Sequence, residues 1–146
     1  MKGLAGLAAA ILVIAAPTGS RAQLPPQIFT IDGYPVACRG TPVVADYALN
    51  DVGFAGPGLI RLNPARMAGM STPYKLLIFA HECAHALRIV NEGAADCFAI
   101  RLGRDQGWFP LQAFDELIAS LRYSPGDFTH APGPVRIANI LTCAAT

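Results

Sequence analysis

The sequence predicts an α+β fold that is mainly α, with a short strand ahead of several helices. Two helical patterns lie close together between residues 71 and 106, and the alternating run Leu59–Leu62 precedes them. Four cysteines spread along the chain predict disulfide cross-links. At 146 residues the chain is long enough for one domain and short for two.

Composition excludes two broad classes. Lys and Arg total 11 against 10 Asp and Glu, so the formal net charge is +1. A protein that binds a phosphate backbone would carry a basic excess, so we expect no nucleic-acid partner. Apolar residues make up 53% and charged residues 14%, which excludes a disordered charged tail.

Residues 1–22 predict a secretory signal peptide, which leaves a domain over residues 23–146. Lys2 gives a positive start, Leu4–Pro17 is an apolar run of about 14 residues, and Ser20–Ala22 offers small residues for cleavage before Gln23. A transmembrane anchor is the alternative, but spanning a bilayer takes about 20 apolar residues. We therefore expect a secreted or periplasmic protein without a membrane anchor after cleavage.

The first half of the chain predicts short strands. Residues 23–58 are rich in Pro and Gly, with apolar runs at Ile28–Ile31 and Pro42–Ala45 that favour strands within irregular structure. Leu59–Leu62 alternates like one further strand. Asn63 and Pro64 then end it, as an N-cap followed by proline at the first helical position.

The second half predicts helices. Ser71–Pro73 resembles a helix start, and helical spacing follows to Leu87. The next predicted helices run from about Glu92 to Gln106 and from about Pro110 to Tyr123. A short segment around Val135–Cys143 closes the chain.

The segment His81–His85 reads H-E-x-x-H and carries the clearest chemical signal. Residues four apart on a helix differ by about 6 Å along the axis and about 40° around it, so both imidazoles can bind one Zn²⁺. Glu82 then lies beside the metal, where a general base must stand to take a proton from metal-bound water. The alternative is two histidines on an ordinary helix with a surface glutamate.

A catalytic zinc site needs a third protein ligand, and the next acids are Glu92 and Asp96. In a continuous helix Glu92 would lie about 10 Å beyond His85, so the chain must turn between them, within Arg88–Asn91. The turn predicts Glu92 as the third ligand and Asp96 as the carboxylate that orients a histidine. The exchanged assignment, and a solvated acidic helix start, stay open as alternatives.

The H-E-x-x-H segment followed by Glu92-x-x-Ala95-Asp96 resembles the gluzincin zinc metallopeptidases, especially their integral-membrane CAAX-processing group and its small exported relatives. The resemblance implies a zincin-like core in which an H-E-x-x-H helix faces an E-x-x-A-D helix. It implies that His81, His85 and Glu92 bind zinc, that Glu82 is the base, and that Asp96 lies behind the ligands. The membrane helices of that group are absent here, and the segment between His85 and Glu92 is shorter than usual.

The same resemblance implies roles for two further parts of the chain. Thr129–Pro132 and Arg136 look like a degenerate form of a downstream T-H-P and arginine, so His130 and Arg136 are candidates to stabilise an oxyanion. Arg136 could instead pair with Asp96 or Asp127. The resemblance also implies that Leu59–Asn63 is an edge strand that binds an extended peptide.

The four cysteines permit three disulfide connectivities. Cys83 is two residues from each histidine and points away from their face of the helix. If the two metal-bearing helices form a hairpin, Cys97 lies near the level of Cys83. We therefore expect Cys83–Cys97 and Cys38–Cys143 bridges.

The sequence thus predicts an exported zinc-dependent metallopeptidase, monomeric, that hydrolyses a peptide or protein substrate through water activated by Glu82. The alternative, from another functional class, is a non-catalytic disulfide-stapled binding module with a structural or vestigial metal site.

Overall fold

The computed structural model describes residues 28–146, and the predicted signal peptide lies outside that range. These residues form an α+β fold with two small sheets and five helices. The strands are β1 (Phe29–Ile31), β2 (Tyr34–Val36), β3 (Val43–Ala45), β4 (Gly53–Gly56) and β5 (Leu59–Leu62). The helices are α1 (Pro64–Met67), α2 (Thr72–Ala86), α3 (Glu92–Asp105), α4 (Leu111–Leu121) and α5 (Gly133–Ala144).

The strands form a two-stranded hairpin, β1-β2, and a three-stranded sheet of order β3-β5-β4. In the larger sheet β3 is parallel to β5 and β4 is antiparallel to it. The expectation that Leu59–Asn63 is an edge strand was wrong, since β5 is paired on both sides. Ile60 and Leu62 are buried, which is typical of a central strand packed against a helix.

The helices confirm the periodicity of the sequence. α2, α3 and α4 begin and end within a few residues of the predicted bounds, and the closing segment predicted around Val135–Cys143 forms α5. Asn63 caps α1 as expected, because its side-chain oxygen accepts from the backbone N–H groups of Ala65 and Arg66.

Helix α2 lies at the centre of the fold. It contacts α3 and α4 and passes beneath β4 and β5. Its residues from Leu76 to Ala84 are buried, apart from the half-buried Glu82. A helix that is apolar on most of its faces is stable only when other elements cover it, so the sheet and the later helices fix the direction of each α2 side chain.

The chain reverses between α2 and α3, as the predicted hairpin requires. Arg88 takes a positive φ of 71°, a left-handed conformation typical of residues that end helices. The amide of Ile89 then donates to the Ala84 carbonyl. Asn91 caps α3 by accepting from the amide of Ala94 at 2.9 Å. The close spacing places α3 directly along α2.

The disulfides differ from the predicted pairing. The structure joins Cys38 to Cys83 and Cys97 to Cys143, with Cα–Cα distances of 5.6 and 5.2 Å. Cys83 does point away from the histidine face of α2, and for that reason it meets the segment after β2 rather than α3. Cys97 faces α5, so the second bridge ties α3 to α5.

Two disulfides suggest an oxidising, extracellular environment, because such bonds are rare in the cytosol. None of the helices within residues 28–146 is both long enough and apolar enough to cross a bilayer.

Candidate metal centre

The site is built on two histidines of α2. His81 and His85 lie one turn apart, and their Nε2 atoms are 2.9 Å from each other. Each Nδ1 has a different partner. His81 Nδ1 lies 2.9 Å from Asp96 Oδ1, and His85 Nδ1 lies 2.8 Å from the carbonyl oxygen of Ile89.

These partners assign the tautomer of each ring. A carbonyl oxygen can only accept a hydrogen bond, so His85 Nδ1 must donate to Ile89. The carboxylate of Asp96 is ionised and likewise accepts from His81 Nδ1. In neutral rings both protons then lie on Nδ1, and both Nε2 atoms present lone pairs to each other at close range.

Glu92, at the start of α3, adds a carboxylate to the same point. Its Oε2 lies 3.0 Å from His81 Nε2 and its Oε1 lies 3.4 Å from His85 Nε2. Oε2 is buried and has no hydrogen-bond partner among the described residues. A buried carboxylate oxygen without a donor is costly unless a cation or donor completes its environment.

Three groups that can act as metal ligands therefore converge at one point. His81, His85 and Glu92 form a group that could hold one metal ion, since their ligand atoms all lie within 4.8 Å of one another. Two imidazoles and one carboxylate fit a divalent cation of the zinc type. The structure brings together the three residues that the sequence predicted as ligands.

Asp96 lies behind the ligands and is 2% exposed. It contacts His81 through Oδ1, and Arg136 donates to both of its oxygens, at 2.9 Å from Nε and 2.6 Å from Nη2. Burial opposes the charge of Asp96, but the hydrogen bonds from His81 and Arg136 outweigh it and hold its pKa below the usual range. Asp96 thus contacts His81 and Arg136, whereas Glu92 is the carboxylate that approaches both Nε2 atoms.

Arg136, on α5, forms a salt bridge with Asp96 rather than with Asp127. The sequence had left both pairings open. Burial lowers the pKa of the guanidinium, yet the bonds to Asp96 raise it above its usual value. A chain of contacts therefore runs from α5 through Asp96 to the ring of His81.

We expect the change Arg136→Met to lower the free energy of unfolding by about 3 kcal/mol, because it leaves the buried Asp96 charge without its main partner. The matched control is Arg104→Met on α3, whose side chain is half exposed and pairs with an exposed aspartate. That control should cost less than about 0.5 kcal/mol. Urea unfolding of the oxidised, metal-free protein at neutral pH measures both. Equal losses would show that the Arg136–Asp96 pair adds nothing specific.

Glu82 follows His81 on α2 and lies under β4. Burial raises the pKa of its carboxyl, while the nearby His81 and His85 and the backbone of Ala55 act in the opposite direction. A Cβ at Gly53 would stand 2.9 Å from Glu82 Cγ. Only glycine therefore allows β4 to pass so close to this carboxylate.

His130 approaches the same centre from the loop between α4 and α5. Its Nε2 lies 3.3 Å from Glu92 Oε2, and its ring centroid is 5.5 Å from that of His81. On its other side Nδ1 lies 3.1 Å from Asp127 Oδ2. Asp127 also accepts from the backbone amides of Thr129 and His130, and these bonds hold its pKa well below the usual value.

Two parts of the site were not predicted from the sequence. The first is β4, whose Gly53 and Ala55 lie against Glu82. In the sequence, Pro57 and Gly58 stand between two apolar runs, a pattern typical of a hairpin that would have predicted this strand. The second is the Ile89 carbonyl that orients His85. No side-chain pattern marks a backbone acceptor of this kind.

Comparison of the chain with family models, with curated proteins and with solved structures gave no match. The assignment of the site therefore depends on the geometry described above.

Proposed function

We propose that this protein is an exported zinc-dependent metallopeptidase of the gluzincin kind. The observation that carries the proposal is the convergence of His81, His85 and Glu92, with a partly buried glutamate beside them. Two imidazoles and one carboxylate are a donor set found in catalytic zinc sites, where three protein ligands leave one position open.

When bound, zinc supplies a Lewis acid that polarises a substrate carbonyl and acidifies water. The residues of the chain supply the remaining functions. Glu82 takes a proton from the attacking water and delivers it to the leaving amine. Asp96, held by Arg136, fixes the His81 ring so that Nε2 faces the centre.

His130 is the residue we assign to oxyanion stabilisation. Its contact with Asp127 holds the ring beside Glu92, and the imidazolium form would present an Nε2–H to a developing negative charge. Arg136 uses two of its nitrogens on Asp96 and therefore acts as a positioning residue. The two candidates from the sequence thus receive different roles.

The substrate strand is expected to add to β4. Among the described residues β4 pairs only with β5, so no strand occupies its other edge, to which an extended peptide would add. A Cβ at Gly53 would meet Glu82 and Ile78 of α2, so β4 passes beside the proposed base. We therefore assign the binding of an extended peptide to β4, in place of Leu59–Asn63.

The oxidised protein, loaded with one equivalent of zinc, should cleave members of a mixed peptide library. A chelator should abolish the cleavage and added zinc should restore it, as read by mass spectrometry of the products. Zinc bound at one ion per chain without cleavage of any peptide would favour the non-catalytic binding module instead.

A further inference from the structure

A groove of about 610 Å³ lies between α3 and the turn that follows β2, on the side of α2 that carries Cys83. It includes none of the three proposed metal ligands. The α3 residues that line it are three or four positions apart and therefore share one face of the helix. These residues are Ala94, Cys97, Phe98, Arg101, Leu102 and Asp105. They span about 16 Å of helix axis, the length of about five extended residues.

The floor of the groove is apolar and only partly covered. Phe98 and Leu102 pack against the hydrophobic core but remain partly exposed, as does Ile89 in the turn between α2 and α3. At the rim Ala94 is exposed, so the groove is open to solvent on one side. A partner that covered these side chains would gain the free energy of removing apolar surface from water.

The charges at the rim favour an acidic partner. Three charged residues line the groove, and one of them, Asp105, already forms a salt bridge with Arg104 at 3.6 Å. The salt bridges formed within residues 28–146 involve neither Arg39 nor Arg101. Arg101 contacts only a hydroxyl, that of Thr146, at 3.2 Å. Two guanidinium groups therefore border an apolar surface without a carboxylate partner.

Arg39 is held at the rim by a constrained turn. The Thr41 amide donates to the Cys38 carbonyl at 2.6 Å, and Arg39 and Gly40 between them have positive φ values of 37° and 81°. A positive φ is uncommon for a residue with a long side chain. The disulfide from Cys38 to Cys83 fixes this turn to α2. The backbone that carries the Arg39 side chain is therefore fixed relative to the groove.

We propose that this groove binds an acidic, amphipathic peptide segment of a partner protein. Its apolar side chains would cover Phe98 and Leu102, and its Asp or Glu side chains would pair with Arg39 and Arg101. Arginine is enriched in protein interfaces, and its planar fork binds carboxylates. The inference does not depend on the proposed peptidase function, because the groove and the metal centre share no residue.

The arrangement of the groove favours a peptide over a fatty acid. A fatty acid offers one carboxylate, whereas the two arginines come from separate segments of the chain and suit carboxylates spaced along a peptide. The open side would also leave part of an acyl chain in water. An amphipathic peptide turns its polar side to the solvent and its apolar side to the groove.

The test selects binders from short random peptides displayed on phage. The oxidised protein carries Glu82→Gln, so that no peptide is cleaved. The library is first depleted on the same protein with Arg39→Glu and Arg101→Glu added. Peptides that are then enriched should combine several Asp or Glu residues with aliphatic or aromatic ones. Fluorescence polarisation should show that the charge reversal weakens their binding by roughly tenfold or more, and that added salt weakens it as well.

The matched control is Arg66→Glu with Arg122→Glu, which changes the net charge equally at exposed positions outside the groove and should retain the affinity. Ala94→Trp places a bulky side chain at the rim and should weaken binding without changing the charge. Enrichment of no peptide, or only of peptides without acidic residues, would overturn the proposal. Equal loss in the Arg66 and Arg122 control would also overturn it. Saturable binding of myristate, abolished by the Arg39 and Arg101 changes while no peptide binds, would make the groove a lipid site instead.

Discussion

Replacing Glu82 with Gln is expected to lower kcat/KM for peptide hydrolysis by about 10²- to 10⁴-fold, because the amide cannot accept a proton from the attacking water. Zinc affinity should change little, since Glu82 is not part of the group of converging ligand atoms. The glutamine has the same shape, so the close approach of Gly53 is preserved. Steady-state kinetics and zinc titration on the same samples give the two readings.

The matched control for this change is Glu116→Gln, at an exposed position on α4. It removes one carboxylate without touching the proposed centre, so its kinetics should equal those of wild type. Undiminished hydrolysis by the Glu82→Gln variant would eliminate Glu82 as the base. If the variant instead lost zinc together with activity, Glu82 would have to be a ligand.

Removal of a proposed ligand should have the largest effect on metal binding. His81→Ala or Glu92→Ala is expected to weaken zinc affinity by well over 100-fold, since each removes one of three donors. Asp96→Asn removes the charge behind His81 and should cost about 10- to 100-fold. Competition with a chromophoric chelator measures these affinities. The control is Asp115→Asn on α4, an exposed residue that should leave the affinity unchanged.

The relative losses of zinc affinity decide which carboxylate, that of Glu92 or that of Asp96, binds the metal. A larger loss with Asp96→Asn than with Glu92→Ala would support the exchanged assignment, in which Asp96 binds the metal. Equal affinity in all variants would mean that the zinc binds elsewhere. The distances of 3.0 and 3.4 Å from Glu92 to the two Nε2 atoms lead us to expect the opposite order.

Much of the helical structure could be predicted because local rules determine it. The four-residue spacing of His81 and His85 fixes their common face, whatever surrounds the helix. The five residues between His85 and the cap at Asn91 leave room only for a tight reversal. The juxtaposition of Glu92 with the histidines follows from these two constraints alone.

The central position of β5 and the pairing of the cysteines depend on contacts between distant segments of the chain, which no local sequence pattern specifies. β5 reads as an alternating strand in either a central or an edge position, and its two neighbours come from separate segments of the chain. Cys83 could meet any of three partners, and the packing of the segment after β2 against α2 selects Cys38. Sequence reasoning placed Cys83 on the correct face of the helix but assigned it the wrong neighbour.

The central claim is that His81, His85 and Glu92 hold one zinc ion. Elemental mass spectrometry of the oxidised protein tests it most directly, alongside the Glu92→Ala and Asp96→Ala variants. The account predicts about one zinc per chain in wild type, loss of the metal in Glu92→Ala and its partial retention in Asp96→Ala. A folded wild-type protein that contains no zinc, and takes up none when it is supplied, would contradict the claim.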